Sequence, residues 1–417
     1  MRRALIASIA IVLALASAPT ASAASGDIDA SFGSEGVAFG FAGPESFSQD
    51  VTVLADGHLM LVGFSASEDQ PFFGIAASGS TFSADGALLG GFGTARGVLS
   101  AYVEVVPDPA GGALIAGWAE RCLAGTSLQN CTRFSRGLFM IVKVHADGSP
   151  DTSFDDDGVV LTALGAGGAS AEGIALQPDG KIVVAGSAVD RAGNPLLAIV
   201  RYRTDGSLDP TFGNRGRVLL PGGTAVDVAI DSLGRIVVAG EAAPDFLVVR
   251  LLPAGAIDLS FGQQGRTRSG FVNRSAKASD LALSSGKILV GGGVVTQLAD
   301  GSSKVGFALM RFTRAGTLDP TFDVDGKAIT TFTQGDAGLA ELAVTNSGKI
   351  VAAGGPGVAR YTSAGRRDLS FSGDGRVWMT DPFTSQLMLA RGLVLQGAKP
   401  LLAVDDEDAM AATRLLP

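Results

Sequence analysis

Seven copies of a Phe-led turn, a hairpin signal after each copy, and no stretch of helical periodicity predict an all-β fold, a seven-bladed β-propeller of four-stranded antiparallel blades. The turn is a Phe followed four or five residues later by Gly. It occurs at Phe32, Phe92, Phe154, Phe212, Phe261, Phe322 and Phe371, with 49 to 62 residues between copies. That period marks a repeat architecture, so the 417 residues are expected to form one ring rather than two or three ordinary domains. The 58 glycines suit short strands joined by tight turns. A chain with 46% hydrophobic and only 18% charged residues also has enough apolar surface to fold.

Each unit follows the same order. The turn in its fullest form runs from Asp205-Gly206-Ser207-Leu208-Asp209 through Pro210-Thr211-Phe212-Gly213 to Gly216, and a short strand such as Val218-Leu219-Leu220 follows. Next come two apolar runs around a turn, clearest from Ile174 to Gly186 with Asp179-Gly180 between them, which is a hairpin pattern. Counterparts centre on Asp56-Gly57, Gly111-Gly112, Leu233-Gly234, Ser285-Gly286, Ser347-Gly348 and Gln396-Gly397. A third apolar strand then ends in a basic residue at Lys143, Arg201, Arg250, Arg311, Arg360 and Arg414, with Ala77 taken as the matching place in the first unit. Strands rich in Ala and β-branched residues suit burial on both faces.

These motifs, LQxDGKIVVAG, ALxRY and DGxLDxTFGxxG in general form, resemble those of bacterial delta-60 repeat proteins across nearly all of residues 26–417. The resemblance implies a propeller-like fold in an exported bacterial protein and specifies no activity.

Wherever a base ends the third strand, an Asp lies three residues before the next motif Phe. The pairs are Lys143 with Asp151, Arg201 with Asp209, Arg250 with Asp258, Arg311 with Asp319, and Arg360 with Asp368. The first unit loses both partners, carrying Ala77 and Leu89. Arg414 has no acid after it and Asp29 has no base before it. The expectation is therefore that residues 36–41 form the outer strand of the last blade, beside Ala409 to Leu415, with Asp29 against Arg414. The N-terminal strand would then close the ring and cover its free edges.

At the N-terminus, Arg2 and Arg3, the apolar run Ala4 to Leu15 and Ala21-Ser22-Ala23 read as a signal peptide over residues 1–23, leaving 24–417 as the propeller. Export to the periplasm or the medium follows, and the run is too short to span a membrane. A formal net charge of −9 argues against a nucleic-acid partner. In an oxidising compartment Cys122 and Cys131 are expected to pair as a local disulfide.

Two places carry candidate sites. In a meander the hairpin turns and the Phe-led turns fall on one side of the ring and recur in every unit, whereas the opposite connections differ in each. Variation there marks the face expected to bind. Its largest loop, Ala119 to Gly137, carries Arg121, Arg133, Phe134 and Arg136 beside Trp118. These residues read either as an anion or glycan contact or as a solvated loop pinned by its disulfide. Asp405-Asp406-Glu407-Asp408 reads as a hard-cation site or a solvated acidic run.

The second place is the central channel, lined by the first hairpin strands. Asp50, Glu104, Glu172, Asp227, Asp280 and Glu341 converge there, with Arg391 in the last unit, and Glu104 and Glu172 are each offset by one residue. The acids form either a cation-binding throat, with calcium as the one candidate cofactor, or acceptors for backbone groups of neighbouring blades. His58 and His145 fall in framework turns, and no nucleophile elbow, phosphate loop or dinucleotide fingerprint occurs. The reading is an exported, non-catalytic binding or scaffolding propeller that contacts a protein, peptide or glycan through its variable face. The alternative is a metal- and carboxylate-dependent hydrolase or lyase acting at the channel mouth.

Overall fold

The computed structural model describes residues 24–40, 46–67, 74–93, 98–124, 133–298, 300–406 and 409–417. All of their regular structure is strand, arranged as seven antiparallel sheets. Blade 1 comprises Ser46–Val53, Leu59–Ser67, Gly74–Phe82 and Leu88–Gly93, from channel to rim. Blade 2 comprises Val98–Pro107, Ala113–Ala124, Leu138–Val144 and Val159–Thr162, with Arg133–Phe134 paired as a short extension. Blade 3 comprises Ala169–Leu176, Ile182–Val189, Pro195–Tyr202 and Arg217–Pro221. Blade 4 comprises Thr224–Ile230, Ile236–Ala242, Asp245–Leu251 and Arg266–Ser269. Blade 5 comprises Ser275–Ser284, Lys287–Gln297, Ser303–Phe312 and Lys327–Thr330. Blade 6 comprises Glu341–Val344, Ile350–Gly354, Gly357–Tyr361 and Arg376–Trp378. Blade 7 takes Leu389–Gln396, Lys399–Asp406 and Ala409–Arg414 from the C-terminus and Val37–Phe39 from the N-terminus.

The N-terminal strand therefore closes the ring. Val37 pairs with Thr413 and Phe39 with Ala411, and the Asp29 N–H donates to the Arg414 carbonyl at 2.7 Å. The closing strand is shorter than the expected 36–41, although Gly40 still donates to the Met410 carbonyl.

Period-2 alternation in the second and third strands gives way to near-continuous apolar runs because both sheet faces meet another blade. Ile182–Val189 buries its first five residues in succession, and Asp245–Leu251 buries its last six. The core is accordingly divided among the junctions. One apolar cluster lies between each pair of neighbouring blades, including one that joins Phe32 and Ala412 of blade 7 to Val51 and Leu61 of blade 1.

Blade 1 departs from the expected pattern. The residue facing Met60 is Thr81, as Arg201 faces Val183 in blade 3, so Thr81 and not Ala77 holds the place of the missing base. Its outer strand starts at Leu88, directly after the turn at Ser83–Ala87, so the Asp-x-Thr-Phe corner of the other blades is absent. Phe92 reaches from within this strand to lie under Gly148, where a Cβ would come within 2.5 Å of its ring. Phe154 lies under Gly206 in the same way.

Candidate functional site

The channel acids are placed by a bulge. In the inner strands of blades 1, 2, 3, 4, 5 and 7 the register slips by one residue, skipping Gln49, Val103, Glu172, Val226, Ser279 and Arg391 in turn. A bulge of this kind re-aims the following side chain. In blades 1, 2, 4 and 5 that side chain is an acid, which bonds the next blade, and Glu341 does the same in blade 6. Asp50 Oδ2 accepts the Val105 N–H at 2.8 Å, Glu104 Oε2 accepts Ile174 at 2.7 Å, and Asp227 Oδ2 accepts Leu281 at 2.9 Å. Asp280 and Glu341 accept Leu342 and Leu393 in the same manner.

Glu104 is thus in register with the Asp residues, contrary to the expected offset. The displaced pair is Glu172 and Arg391, which are themselves the bulge residues. Glycine follows each, and a Cβ on Gly173 or Gly392 would lie 2.7 or 2.6 Å from the Cα of Asp227 or Asp50 in the next blade. Blade 7 replaces the acid by a relay, in which Arg391 donates to Asp405 at 2.8 Å and Asp405 accepts the Ser48 N–H of blade 1 at 2.7 Å. Asp405 is therefore a buried strand residue and not part of a solvated acidic loop. Glu407 and Asp408 lie outside the described residues.

These side chains surround a cavity of about 250 Å³. Burial, opposed by the backbone N–H bonds, pushes Asp50 up to about 7 and Asp227 up to about 6. Burial together with neighbouring carboxylates raises Glu104, Asp280 and Glu341 well above the usual carboxylate range, and burial raises Glu172. Asp227, Asp280, Asp50 and Glu341 line this one cavity, and carboxyls buried together disfavour one another's ionisation. Among the described residues no three His, Cys, Asp or Glu side chains form a group able to hold a metal ion.

A second set of side chains lies on the recurring face. Arg201, Arg250, Arg311, Arg360 and Arg414 each place Nε 2.7 to 3.0 Å from the carboxylates of Asp209, Asp258, Asp319, Asp368 and Asp29. Each guanidinium also stacks 4.5 to 4.8 Å from the motif Phe ring of its own blade. Four of them donate Nη1 to the following blade, at the carbonyls of Pro253, Arg314, Ser363 and Ala84. The pair is therefore a staple between blades as well as a bracket around a turn. The inter-blade donation could not be read from the sequence, because its acceptor is a main-chain atom. In blade 2, Lys143 lies 3.1 Å from Asp151 and 3.2 Å from Asp108.

On the variable face, Arg121 and Arg136 are exposed and Phe134 is half-buried. Cys122 faces Phe134, and the Arg121 N–H donates to Ser135 Oγ at 2.8 Å. Arg136 donates to the Ala166 carbonyl. Trp118 lies three residues before Arg121 on an unbulged stretch of strand, so the two side chains leave opposite faces of the sheet. Arg133 belongs to the short extension strand. Cys131 lies outside the described residues, and with it the pairing to Cys122, as do residues 1–23.

A closed ring of seven four-stranded meanders, acid-clasped at the throat and Arg-stapled on one face, defines a seven-bladed β-propeller. The family described as domain of unknown function (DUF5122) beta-propeller matches residues 177–212, 234–261 and 283–322, in blades 3 to 5. No curated protein matches the sequence. Among solved structures, Raptor from Chaetomium thermophilum is 13% identical with a TM-score of 0.49, over 91% of this chain and 28% of that one, so the chain spans little more than a quarter of Raptor's length. A protein of unknown function from Dyadobacter fermentans is 11% identical with a TM-score of 0.45, over 91% and 98% of the two chains. YCF48 bound to D1 peptide is 9% identical with a TM-score of 0.46, over 96% and 100%. No helix among the described residues is long and apolar enough to cross a membrane.

Proposed function

We propose that the chain is an exported, non-catalytic binding or scaffolding propeller of the delta-60 repeat kind, contacting a protein, peptide or glycan through its variable face. The observation that carries this reading is how the throat carboxylates are used. Asp50, Glu104, Asp227, Asp280 and Glu341 each accept a backbone N–H from the next blade, so the convergent acids of the ring act as structural acceptors. The framework itself accounts for acids committed in this way, which leaves the individualised loops as the surface free to specialise. Export rests on the leader pattern over residues 1–23, and the disulfide between Cys122 and Cys131 would hold the largest loop in shape.

The exposed guanidiniums of Arg121 and Arg136 favour an anionic ligand on that loop. The test pairs two assays. Oligogalacturonate binding should weaken about tenfold in the Arg121→Ala/Arg136→Ala double variant. A panel of lactones, esters and polysaccharides should show no turnover, with or without calcium. Calcium-dependent hydrolysis that disappears in Asp227→Asn would replace this reading by the catalytic one.

A further inference from the structure

Among the described residues the staple between blades is incomplete after blades 1, 2 and 6, and the junction after blade 2 has a cavity beside it. At the junctions after blades 3, 4, 5 and 7 an arginine enters from the third strand, and its Nη1 donates to a carbonyl at the turn after the next blade's third strand. The corresponding carbonyl in blade 3 is that of Thr204, and among the described residues it accepts no hydrogen bond. The base that would reach it is Lys143, which is shorter than arginine and is held back by Asp108 and Asp151. Asp108 occupies the hairpin position of Gln177 and Gln396, whose side-chain carbonyls accept Nη1 of Arg201 and Arg414 in their own blades.

The space follows from this exchange. The cavity between blades 2 and 3 measures about 520 Å³, against about 220 and 400 Å³ at the junctions that Arg250 and Arg311 enter. Its walls are apolar, formed by Pro109, Leu114, Leu176, Pro178 and Ile182, and Lys143 and Asp108 lie at its polar end with the Thr204 turn. Lys143 is shared between Asp108, which lines the cavity, and Asp151, which does not, so the three charges together sum to −1. A void with apolar walls, an excess carboxylate and an unused carbonyl acceptor is complementary to a cation on an aliphatic stem.

We propose that the blade 2/blade 3 junction is a binding pocket for a guanidinium group on an apolar stem, such as an exposed arginine side chain of a partner peptide. The incoming group would take the place that an intramolecular arginine takes at four sister junctions. It would donate to Thr204 O and to Asp108 while its stem lies against the proline and leucine walls. This pocket is on the recurring face, opposite the loops considered above, and does not depend on what they bind.

The probe is N-acetyl-arginine amide, with N-acetyl-citrulline amide as its neutral control of nearly the same shape. Titration followed by NMR should show saturable, millimolar binding of the arginine probe, with shifts centred on Thr204 and Gly180, and at least about tenfold weaker binding of citrulline. Lys143→Arg supplies the missing guanidinium from within, so it should abolish probe binding and raise the melting temperature. Asp108→Asn is a second variant that keeps the cavity but removes the excess charge, and it should weaken the arginine probe to the level of citrulline. The proposal fails if the wild type does not bind the arginine probe, if citrulline binds equally well, or if both variants keep wild-type affinity.

Discussion

The junction between blades 4 and 5 and the junction between blades 1 and 2 bury similar apolar clusters, yet only the first is fastened at both ends. Between blades 4 and 5, Asp227 clasps Leu281 at the throat, and Arg250 staples the recurring face through Asp258, Phe261 and the Arg314 carbonyl. Between blades 1 and 2, Asp50 clasps Val105 at the throat, but the staple position holds Thr81, whose side chain makes a 3.5 Å contact to its own blade at Gly90. The repeat therefore has two separable fastenings. The apolar core and the throat clasp hold the blade 1/blade 2 junction by themselves, and the staple is an addition made in full at four of the seven junctions among the described residues.

The largest effect should come from removing a staple where it exists. Arg250 and Asp258 have side chains only 3% and 8% exposed, so Arg250→Ala leaves a buried carboxylate with only the more distant Arg235, at 3.7 Å, as a cation. A loss of about 3 to 5 kcal/mol is expected in denaturant unfolding. Thr81→Ala should cost about 1 kcal/mol or less, since no charge is stranded. Equal losses at the two positions would erase the distinction between the junctions.

The closing strand and the blade phase were legible because Arg414 and Asp29 are each missing a sequence neighbour and complete one another only in a ring. The throat was legible in composition but not in register. A bulge inserts one residue without changing the apolar pattern, so Glu104 looked displaced, whereas Glu172 and Arg391 are the residues pushed aside. Gly173 and Gly392, which make room for the next blade, look like any of the other glycines in a linear reading. The misplacement at Ala77 has a simpler cause. In the other blades the base stands eleven residues before the motif Phe, and the same interval before Phe92 leads to Thr81, where no charge marks the end of the strand. The Lys143 pocket was not legible, because it depends on how far a lysine reaches toward a carbonyl some 60 positions away in sequence, a distance set by the repeat itself.

The second prediction uses pH to load the fastening that both junctions share. Asp50 and Asp227 have folded-state values near 7 and 6, raised chiefly by burial above the unfolded carboxylate value of about 4. The folded state therefore binds these protons more tightly than the unfolded chain does. The stability they contribute is complete below about pH 4 and is lost as pH rises through about 7. Asp29, Asp319 and Asp368 are held below the usual range by hydrogen bonds and nearby cations that outweigh their burial, so their contribution is lost as pH falls below about 4. The melting temperature should peak near pH 5 and decline toward pH 8, and Asp50→Asn should flatten the alkaline limb. Hydrogen exchange at pH 8 should open Val105 before Leu281, because only the second is backed by a staple. Simultaneous opening would show that the staple adds nothing to the clasp.

The smallest effect on stability concerns the outer edge of the same two blades. Blade 4 ends on Arg266–Ser269, and Arg266 reaches back to the Pro221 carbonyl of blade 3 at 2.8 Å. Lys327 and Arg376 make the same link in blades 5 and 6. Blade 1 ends on Leu-Leu-Gly-Gly-Phe-Gly, uncharged along its six residues, with Leu88 43% and Leu89 54% exposed. A strand with a free backbone edge and no charge invites pairing with another chain, and lysine on such an edge is a common deterrent. Leu89→Lys should change the unfolding free energy by no more than about 0.5 kcal/mol, since the side chain already faces water. It should nevertheless slow aggregation on mild heating, followed by light scattering. An equal effect of Thr267→Lys in blade 4 would show that added positive charge in general, and not the bare edge of blade 1, controls association.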